Sequence, residues 1–343
     1  MLRNVLVSHV TCNVYIADYV KYLDQEFYKS ITDAYAPSTI KNFKSIWIRF
    51  ITFHNQNKLQ LFPPWEINIR RYFTHLTKTC SAYGSILNYS SAIKLFYNLN
   101  GYEVTMSDIH MQLLLKAAKR NKSASSKPKA PIEVPHLLFI VSNANYMDAC
   151  QFSFVAAVLI AFFGCLRRSN VVPPSEAGFD PSKHLTRSSI TIHSDSIILA
   201  LPWTKTLQNR DQIFTITIAK PQDCIIDPVA MYVSFITKYP AQPLDPAFCF
   251  YKDGARVVLT QPALARRLKA ALSRMGVPAA AYGTHSLRRG GTSLMYSGGI
   301  PAHLLRAHGT WKGASYQRYI ELNHRQKKAP TLAMYTAINQ LCK

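Results

Sequence analysis

Six side chains along this sequence are of the types needed to cleave a phosphodiester bond without a metal ion. Such a reaction needs a nucleophile, positive charge that stabilises the pentavalent phosphorane, and a proton for the leaving oxygen. Arginine suits the second task, because its planar guanidinium holds two phosphate oxygens and stays charged. A tyrosine hydroxyl, with an ordinary pKa of about 10, needs help from neighbouring cations to act as the nucleophile. In chain order the six are Arg167, Lys205, His285, Arg288, Trp311 and Tyr319.

Four of these side chains lie close together in the last third of the chain. His285 and Arg288 are three residues apart, so they lie on one face of a predicted helix. Trp311 and the candidate nucleophile Tyr319 follow within one more helix-turn-helix length. The order of the whole set is more informative than any one of its motifs.

Each candidate also has a simpler interpretation. Arg167 and Arg288 could be ordinary surface charges, although Arg167 directly follows a buried-looking helix and Arg288 lies in an otherwise apolar segment. A hairpin lysine such as Lys205 is most often only solvated, but it could protonate a leaving 5′ oxygen. Tyr316 is a rival nucleophile on the same helical face, and His308 is a competitor for the role of the tryptophan.

The bulk composition indicates a globular protein that binds a polyanion. The chain has 343 residues, enough for two domains with sizeable cores, and 48% of them are hydrophobic. Lys and Arg number 40 against 18 Asp and Glu, which gives a net charge of +22. Such an excess repels itself unless a polyanion compensates it, so nucleic acid is the expected partner. A ribosomal or merely basic protein would share this charge.

The cysteines and the apolar runs argue against other classes of protein. An odd, dispersed set without a CxxC pair indicates reduced thiols in an intracellular protein, neither a disulfide framework nor a zinc site. The longest apolar run, Phe152 to Leu166, is too short to span a bilayer, and we predict no signal peptide. The seven cysteines are Cys12, Cys80, Cys150, Cys165, Cys224, Cys249 and Cys342.

Hydrophobic periodicity predicts a helical region followed by a mixed one. Between about Pro37 and Arg120, apolar residues recur at helical spacing, and we expect their aromatic rings to be core residues. Helices are predicted to begin at Pro37 and at Pro63-Pro64, to surround Ile86 to Tyr97 before Gly101, and to run from near Ile109 to Lys119.

A basic stretch poor in acidic residues, from residue 119 to residue 135, separates the two regions. It is expected to be a solvated linker, with the further possibility that its cations contact phosphates as it passes a duplex. Those cations are Lys119, Arg120, Lys122, Lys127 and Lys129.

Beyond the linker, the very apolar helix Phe152 to Leu166 precedes three short strands, which place Lys205 at the turn between the second and the third. The strands are predicted at Ser189 to His193, Ser196 to Leu201 and Gln212 to Ile218, and later helices at Pro228 to Lys238, Gln261 to Met275, Ser286 to Ser297 and Pro301 to Ala307.

Taken together, the motifs resemble those of the tyrosine recombinases, a family that includes phage integrases and the recombinases of certain eukaryotic transposons. Leu166-Arg167-Arg168-Ser169 resembles the motif of the family's first arginine, and Lys205 matches its lysine on the turn between the second and third strands. His285 and Arg288 match the His-x-x-Arg motif. Trp311 matches a later His or Trp position, and Tyr319-Ile320 matches the nucleophile and the hydrophobic residue after it.

Two phrases, His-Ser-Leu-Arg-Arg-Gly-Gly and Gly-Thr-Trp-Lys-Gly, are most similar to the recombinases of DIRS, Ngaro and Crypton elements. One departure from the pattern is Asn170, where many relatives have a glutamate. An asparagine here could alter the orientation of Arg167, but the transposon relatives also vary at this position.

The resemblance implies a mainly α fold with a small antiparallel sheet. It divides the chain into an uncertain segment 1–34, a helical core-binding domain 35–118, the basic linker 119–135 and an α+β catalytic domain 136–343. The two domains are expected to close as a clamp around double-stranded DNA, with a homotetramer in the synaptic complex. No membrane is involved.

The activity implied is site-specific DNA recombination through a covalent 3′-phosphotyrosyl intermediate, without a metal or nucleotide cofactor. A free 5′-hydroxyl then attacks the partner strand, in the integration or excision of a mobile element. The alternatives are a catalytically dead DNA-binding protein on the same scaffold and a type IB topoisomerase. A eukaryotic element would place the protein in the nucleus, and a prokaryotic one in the cytoplasm.

Overall fold

The chain divides into two units, Met1–Lys127 and Pro128–Lys343, which are described in turn. This computed structural model describes residues 18–80, 82–121, 128–202, 213–311, 313–322, 326–329, 331–332 and 334–335.

Helices make up the regular structure described in the first unit. Pro37 is the first residue of its helix, as predicted, because the fixed φ of proline suits a first helical turn. The helix expected to open at Pro63-Pro64 instead begins at Glu66. In chain order the helices are α1 (Asp18–Asp33), α2 (Pro37–Gln56), α3 (Glu66–Thr79), α4 (Tyr83–Leu99) and α5 (Ile109–Asn121).

Aromatic rings form much of the core of this unit. Phe50 is fully buried, and its ring packs edge-on against those of Tyr72, Phe96 and Tyr97 at centroid distances of 5.0 to 6.0 Å. Trp47 is also buried, and its indole N–H donates to the Ala92 carbonyl oxygen at 2.7 Å. These rings are core residues, as the periodicity predicted.

A buried helix organises the second unit. Every side chain from Phe152 to Phe162 of α7 (Ala149–Phe163) is buried, so this part of the helix has no exposed face. The side chain of Asp148 caps its first turn by accepting from the Cys150 amide at 2.8 Å. The other helices are α6 (Val134–Ser142), α8 (Arg168–Val171), α9 (Pro228–Lys238), α10 (Gln261–Arg274), α11 (Thr284–Ser297) and α12 (Ala302–His308).

The described residues of this unit also form two small antiparallel sheets. The first has the strand order β1 (Ile190–Ile192), β2 (Ser196–Leu201) and β3 (Phe214–Ala219), and Leu201 pairs with Phe214. The second is a hairpin of β4 (Cys249–Lys252) and β5 (Ala255–Val258), which the sequence did not predict. The predicted fold class, mainly α with a small antiparallel sheet, is confirmed.

Candidate active site

Arg288 is a buried cation on α11. Only 1% of its surface is exposed, which is unusual for an arginine. Its Nη2 donates to the Gly309 carbonyl oxygen at 2.7 Å, and its Nη1 donates to the Cys165 carbonyl oxygen. Its Nε is buried and finds no hydrogen-bond partner among the described residues. The side chain is therefore fixed in place with one donor left unpaired.

The sequence around Arg288 explains how closely α11 packs. A Cβ on Gly290 would lie 2.0 Å from the Ile132 carbonyl oxygen, and one on Gly291 would lie 2.2 Å from that of Phe162. Only glycine allows these backbones to approach so far. The Gly-Gly pair of the His-Ser-Leu-Arg-Arg-Gly-Gly motif therefore places α11 directly on the end of α7.

The chain reversal at the end of α7 supplies one of the acceptors for Arg288. Cys165 adopts a left-handed conformation with a φ of +47°, and the Leu166 amide donates to the Ala161 carbonyl oxygen at 2.9 Å. This is the Schellman pattern, with a cysteine where glycine is usual. Burial raises the pKa of the Cys165 thiol to about 11, so the thiol beneath Arg288 is neutral.

Arg167 follows this turn and brings a second positive charge to the site. It is half-buried, and its Nη1 lacks a hydrogen-bond partner among the described residues. Burial, together with the charge of Arg167, lowers the pKa of Arg288 to about 10, while Tyr319 acts in the opposite direction. Within the described part of the chain, neither arginine forms an ion pair with a carboxylate. The like charge of Arg167 therefore acts on Arg288 with no counterion among the described residues.

Trp311 covers the guanidinium of Arg288. The Arg288 Cζ lies 4.1 Å from the centre of the indole ring, which is 6% exposed, a cation–π contact. A Cβ on Gly309 would lie 1.6 Å from an atom of that ring. Gly309 therefore makes room for the indole, while its carbonyl oxygen holds the arginine. The indole Nε1 is buried without a partner among the described residues.

Tyr319 lies at the end of a 3₁₀ helix, Ala314–Tyr319. Its ring is half-buried, 5.5 Å from the ring centre of Trp311 and 5.1 Å from the Cζ of Arg288. Residues 313–322, which carry this side chain, are called the Tyr319 segment below.

The two rival residues are placed differently. The ring of Tyr316 lies 6.3 Å from that of Trp311, and no cation–π contact with Arg288 is found for it in the described residues. His308 is half-buried, and its Nε2 donates to the Phe163 carbonyl oxygen at 2.7 Å. The geometry around Arg288 therefore favours Tyr319 and Trp311 over these rivals.

The remaining candidates lie elsewhere or outside the described residues. His285 is exposed in the first turn of α11, one turn before Arg288, and Asn170 is buried in α8. Lys205 falls in the connection between β2 and β3, outside the described residues. Of the six predicted side chains, Arg288, Trp311 and Tyr319 are in contact, and the charge of Arg167 acts on Arg288.

Three of the five predicted linker cations lie among the described residues. Lys119 and Arg120 lie in the last turn of α5. The Nζ of Lys129 donates to the Ala280 carbonyl oxygen at 2.6 Å. Lys122 and Lys127 lie outside the described residues.

Three contributors to the site escaped the sequence analysis: the carbonyl oxygens of Cys165 and Gly309, and the hydroxyl of Ser293, which donates to the Tyr319 carbonyl oxygen at 3.1 Å. Backbone acceptors have no sequence signature. A glycine directly before Thr310-Trp311 was the only signal available. Among the described residues, no cluster of three or more His, Cys, Asp or Glu could hold a metal ion, and no helix is long and apolar enough to cross a membrane.

Comparison with solved structures identifies the fold. The XerH site-specific recombinase, in its pre-cleavage complex with difH substrate, aligns with a TM-score of 0.57 at 12% identity, covering 96% of this chain and 92% of that one. The Tn1549 transposon integrase in complex with circular intermediate DNA gives 0.52 at 14%, covering 84% and 93%. A lambda integrase dimer bound to a COC′ core site gives 0.52 at 15%, covering 89% and 96%.

The fold is that of the tyrosine recombinases. At these identities the likeness concerns the fold alone. No protein-family model matches the sequence, and no curated protein matches it either. The roles of individual side chains are therefore argued from the geometry of this structure, in which Arg288, the indole of Trp311 and Tyr319 are in contact.

Proposed function

We propose that this chain is a site-specific DNA recombinase that cleaves and rejoins strands through a covalent bond between Tyr319 and a 3′-phosphate. The observation that carries the proposal is the buried guanidinium of Arg288 against the ring of Tyr319, with the charge of Arg167 acting on it and no counterion among the described residues. Burying one guanidinium next to another is costly unless an anion neutralises them. A phosphodiester group supplies that anion.

The reaction has two transesterification steps. In cleavage, the Tyr319 oxygen bonds to phosphorus and the bond from phosphorus to the 5′ oxygen breaks, with a proton passing to the departing 5′ oxygen. In rejoining, a 5′-hydroxyl attacks the phosphotyrosyl group and releases the tyrosine. The ester retains the energy of the broken bond, so the proposed reaction requires no nucleotide cofactor.

The arginines act on the charge that develops during these steps. The guanidinium of Arg288 is held by two carbonyl oxygens and the indole of Trp311, so it is already placed when a phosphate arrives. Donors fixed in advance stabilise a transition state without the cost of reorganisation. The pKa of about 10 keeps Arg288 charged at neutral pH.

We assign proton donation to Lys205 and keep His285 in the site as the partner of Arg288 in the His-x-x-Arg motif. Lys205 is outside the described residues, so its role rests on the sequence. The exposed position of His285 in the first turn of α11 leaves its ring accessible to a bound strand.

The proposals about DNA contacts outside the site, assembly and location rest on the net charge and on short sequence motifs. A net charge of +22 suits many phosphate contacts, and the linker cations Lys119 to Lys129 are proposed to make some of them. The similarity to DIRS, Ngaro and Crypton recombinases suggests a mobile element, a synaptic homotetramer and a nuclear location. These finer assignments depend on the His-Ser-Leu-Arg-Arg-Gly-Gly and Gly-Thr-Trp-Lys-Gly motifs alone.

Covalent trapping tests the proposal. A binding site is first selected from random-sequence duplexes by the full chain, and a version nicked near the cleavage point then serves as a suicide substrate. Wild type should form an adduct that survives denaturant. Tyr319→Phe should abolish it while leaving DNA affinity nearly intact, because only a hydroxyl is lost.

Tyr316→Phe is the matched control and should retain trapping, since it removes the same atom three residues away. An adduct that persists in Tyr319→Phe but disappears in Tyr316→Phe would transfer the nucleophile to Tyr316. DNA binding by wild type without any adduct would favour the dead-scaffold alternative.

A further inference from the structure

The main chain of the Tyr319 segment is tied to α11 by one hydroxyl group. The Ser293 Oγ donates to the carbonyl oxygen of Tyr319 at 3.1 Å and accepts from the amide of Glu321 at 2.9 Å. A serine hydroxyl has one donor and two acceptor positions, so both hydrogen bonds can exist together. They fasten the chain on both sides of Ile320, directly after the proposed nucleophile.

A charged pair joins the same two elements. The Nη2 of Arg289 donates to the Oε2 of Glu321 at 2.8 Å, and Arg289 is mostly buried while Glu321 is half exposed. Arg289 and Ser293 are four residues apart on α11, so they lie on one face of the helix. The neighbouring residue Arg288 reaches the phosphate site. One helix therefore holds both the phosphate-binding charge and the segment that carries the tyrosine.

The Tyr319 segment has little regular structure that could fix the tyrosine by itself. It forms a 3₁₀ helix of six residues, and short 3₁₀ helices have poor hydrogen-bond geometry. Apart from the ring contacts of Tyr316 with Trp311 and of Tyr319 with Trp311 and Arg288, its described tertiary contacts include the bonds to Ser293 and Arg289. The direction of the tyrosine ring therefore depends on where these bonds hold the main chain.

We propose that Ser293, assisted by the Arg289–Glu321 pair, is a positioning residue that sets the Tyr319 hydroxyl for attack on the phosphate. This inference rests on the function proposed above. Ser293 does not touch the reacting atoms and acts through the main chain of Tyr319. A displacement of about 1 Å in a reacting group costs as much as 10²-fold in rate, so one lost anchor has a measurable effect.

The test measures single-turnover adduct formation at saturating suicide substrate, together with DNA affinity. Ser293→Ala should slow adduct formation by about 10–100-fold while leaving affinity within twofold. Alanine favours helix, so α11 should keep its structure. Ser293→Thr keeps a hydroxyl on Cβ, and one of the two helical rotamers of threonine directs it as serine does. This variant should recover to within about threefold of the wild-type rate.

Ser297→Ala provides the matched control. Ser297 lies one turn further along α11 and lines the same cavity of about 380 Å³ as Ser293, Glu321 and Leu322. Ser297→Ala is the same substitution but leaves the bonds to the Tyr319 segment in place. Its rate of adduct formation should therefore equal that of wild type. If Ser293 had a purely structural role, Ser293→Ala would lower DNA affinity and reaction rate together, and Ser293→Thr would restore neither.

The charged pair gives a second measurement. Arg289→Ala and Glu321→Ala should each slow adduct formation, by about 3–10-fold, and the double variant should be no slower than the worse single one, because both remove the same contact. If Arg289 instead bound a phosphate, only its own substitution would weaken DNA affinity.

Wild-type rates in Ser293→Ala, or a fall in affinity that accounts for its slower reaction, would overturn the positioning role while leaving the recombinase proposal intact. A wild-type chain that forms no adduct would instead contradict the proposed function itself.

Discussion

α11 and the Tyr319 segment both reach the candidate active site, but they are held there in different ways. α11 packs its backbone directly on neighbouring backbone at Gly290 and Gly291, and its Arg288 is almost wholly buried. The Tyr319 segment is largely exposed and is fastened through a serine hydroxyl, an ion pair and ring contacts. The charge of Arg288 thus belongs to the core, whereas Tyr319 belongs to a lightly held surface element.

This difference corresponds to the two tasks proposed for the site, stabilising the transition state and supplying the nucleophile. Groups that must stabilise a transition state work best when the fold fixes them before the reaction. A nucleophile that forms and releases a covalent bond has to approach the phosphorus and withdraw again. Elements with few buried contacts open most easily. Substitutions in the two regions should therefore differ in one respect: whether the free energy of unfolding changes together with the rate of adduct formation.

Arg167→Ala should have the largest effect of the predictions that test this contrast. Loss of one preorganised charge donor should slow adduct formation by about 10²–10³-fold. Stability should stay equal or rise, since the charge of Arg167 contributes to the lowered pKa of Arg288. A depressed pKa in a folded base penalises folding at every pH below it, and removing Arg167 relieves part of that penalty. Thermal unfolding and adduct kinetics measure the two effects.

A rate for Arg167→Ala within about threefold of wild type would remove this residue from the site. A marked loss of stability would mean that its side chain has a structural partner after all.

Gly309→Ala should have a smaller effect, of about 10–100-fold on adduct formation. Its φ of −86° suits alanine, so the backbone can stay as it is. The added Cβ would lie 1.6 Å from the indole of Trp311, which must move away from Arg288. Gly313→Ala is the control, because a Cβ there meets nothing within 4 Å. Equal rates in the two variants would show that the indole position is unimportant.

Much of the fold was predictable because local signals and burial agreed. The helix predicted at Pro228 to Lys238 has those bounds, where the Asp227 side chain caps its first turn and proline occupies the first position. The hairpin of β4 and β5 was missed, although Asp253-Gly254 is a strong signal for a two-residue turn. Both residues have positive φ there, as such a turn requires.

The site was predictable only as a set of side-chain types. Arg288 was expected to bind phosphate, but its burial against two carbonyl oxygens depends on the left-handed turn at Cys165 and on the position of Gly309, and both arise from tertiary packing. Ser293 carries no motif, because its partners are backbone atoms brought close by the fold. Interactions with backbone groups distant in sequence leave no spacing pattern to detect.

His308→Ala should have the smallest effect. It decides whether the imidazole of His308 only forms a structural hydrogen bond or takes the role assigned to the indole of Trp311. In the structure, the Nε2 of His308 donates to the Phe163 carbonyl oxygen at 2.7 Å, at the C-terminal end of α7. A hydrogen bond of this kind contributes about 1 kcal/mol to stability, so the variant should unfold at a slightly lower temperature. Its adduct rate should stay within about threefold of wild type, because Trp311, not His308, covers Arg288. Trp311→Ala, assayed beside it, should be clearly slower. If His308→Ala lost more than tenfold in rate while Trp311→Ala did not, the imidazole would take the role assigned to the indole, and the arrangement around Arg288 would have to change when DNA binds.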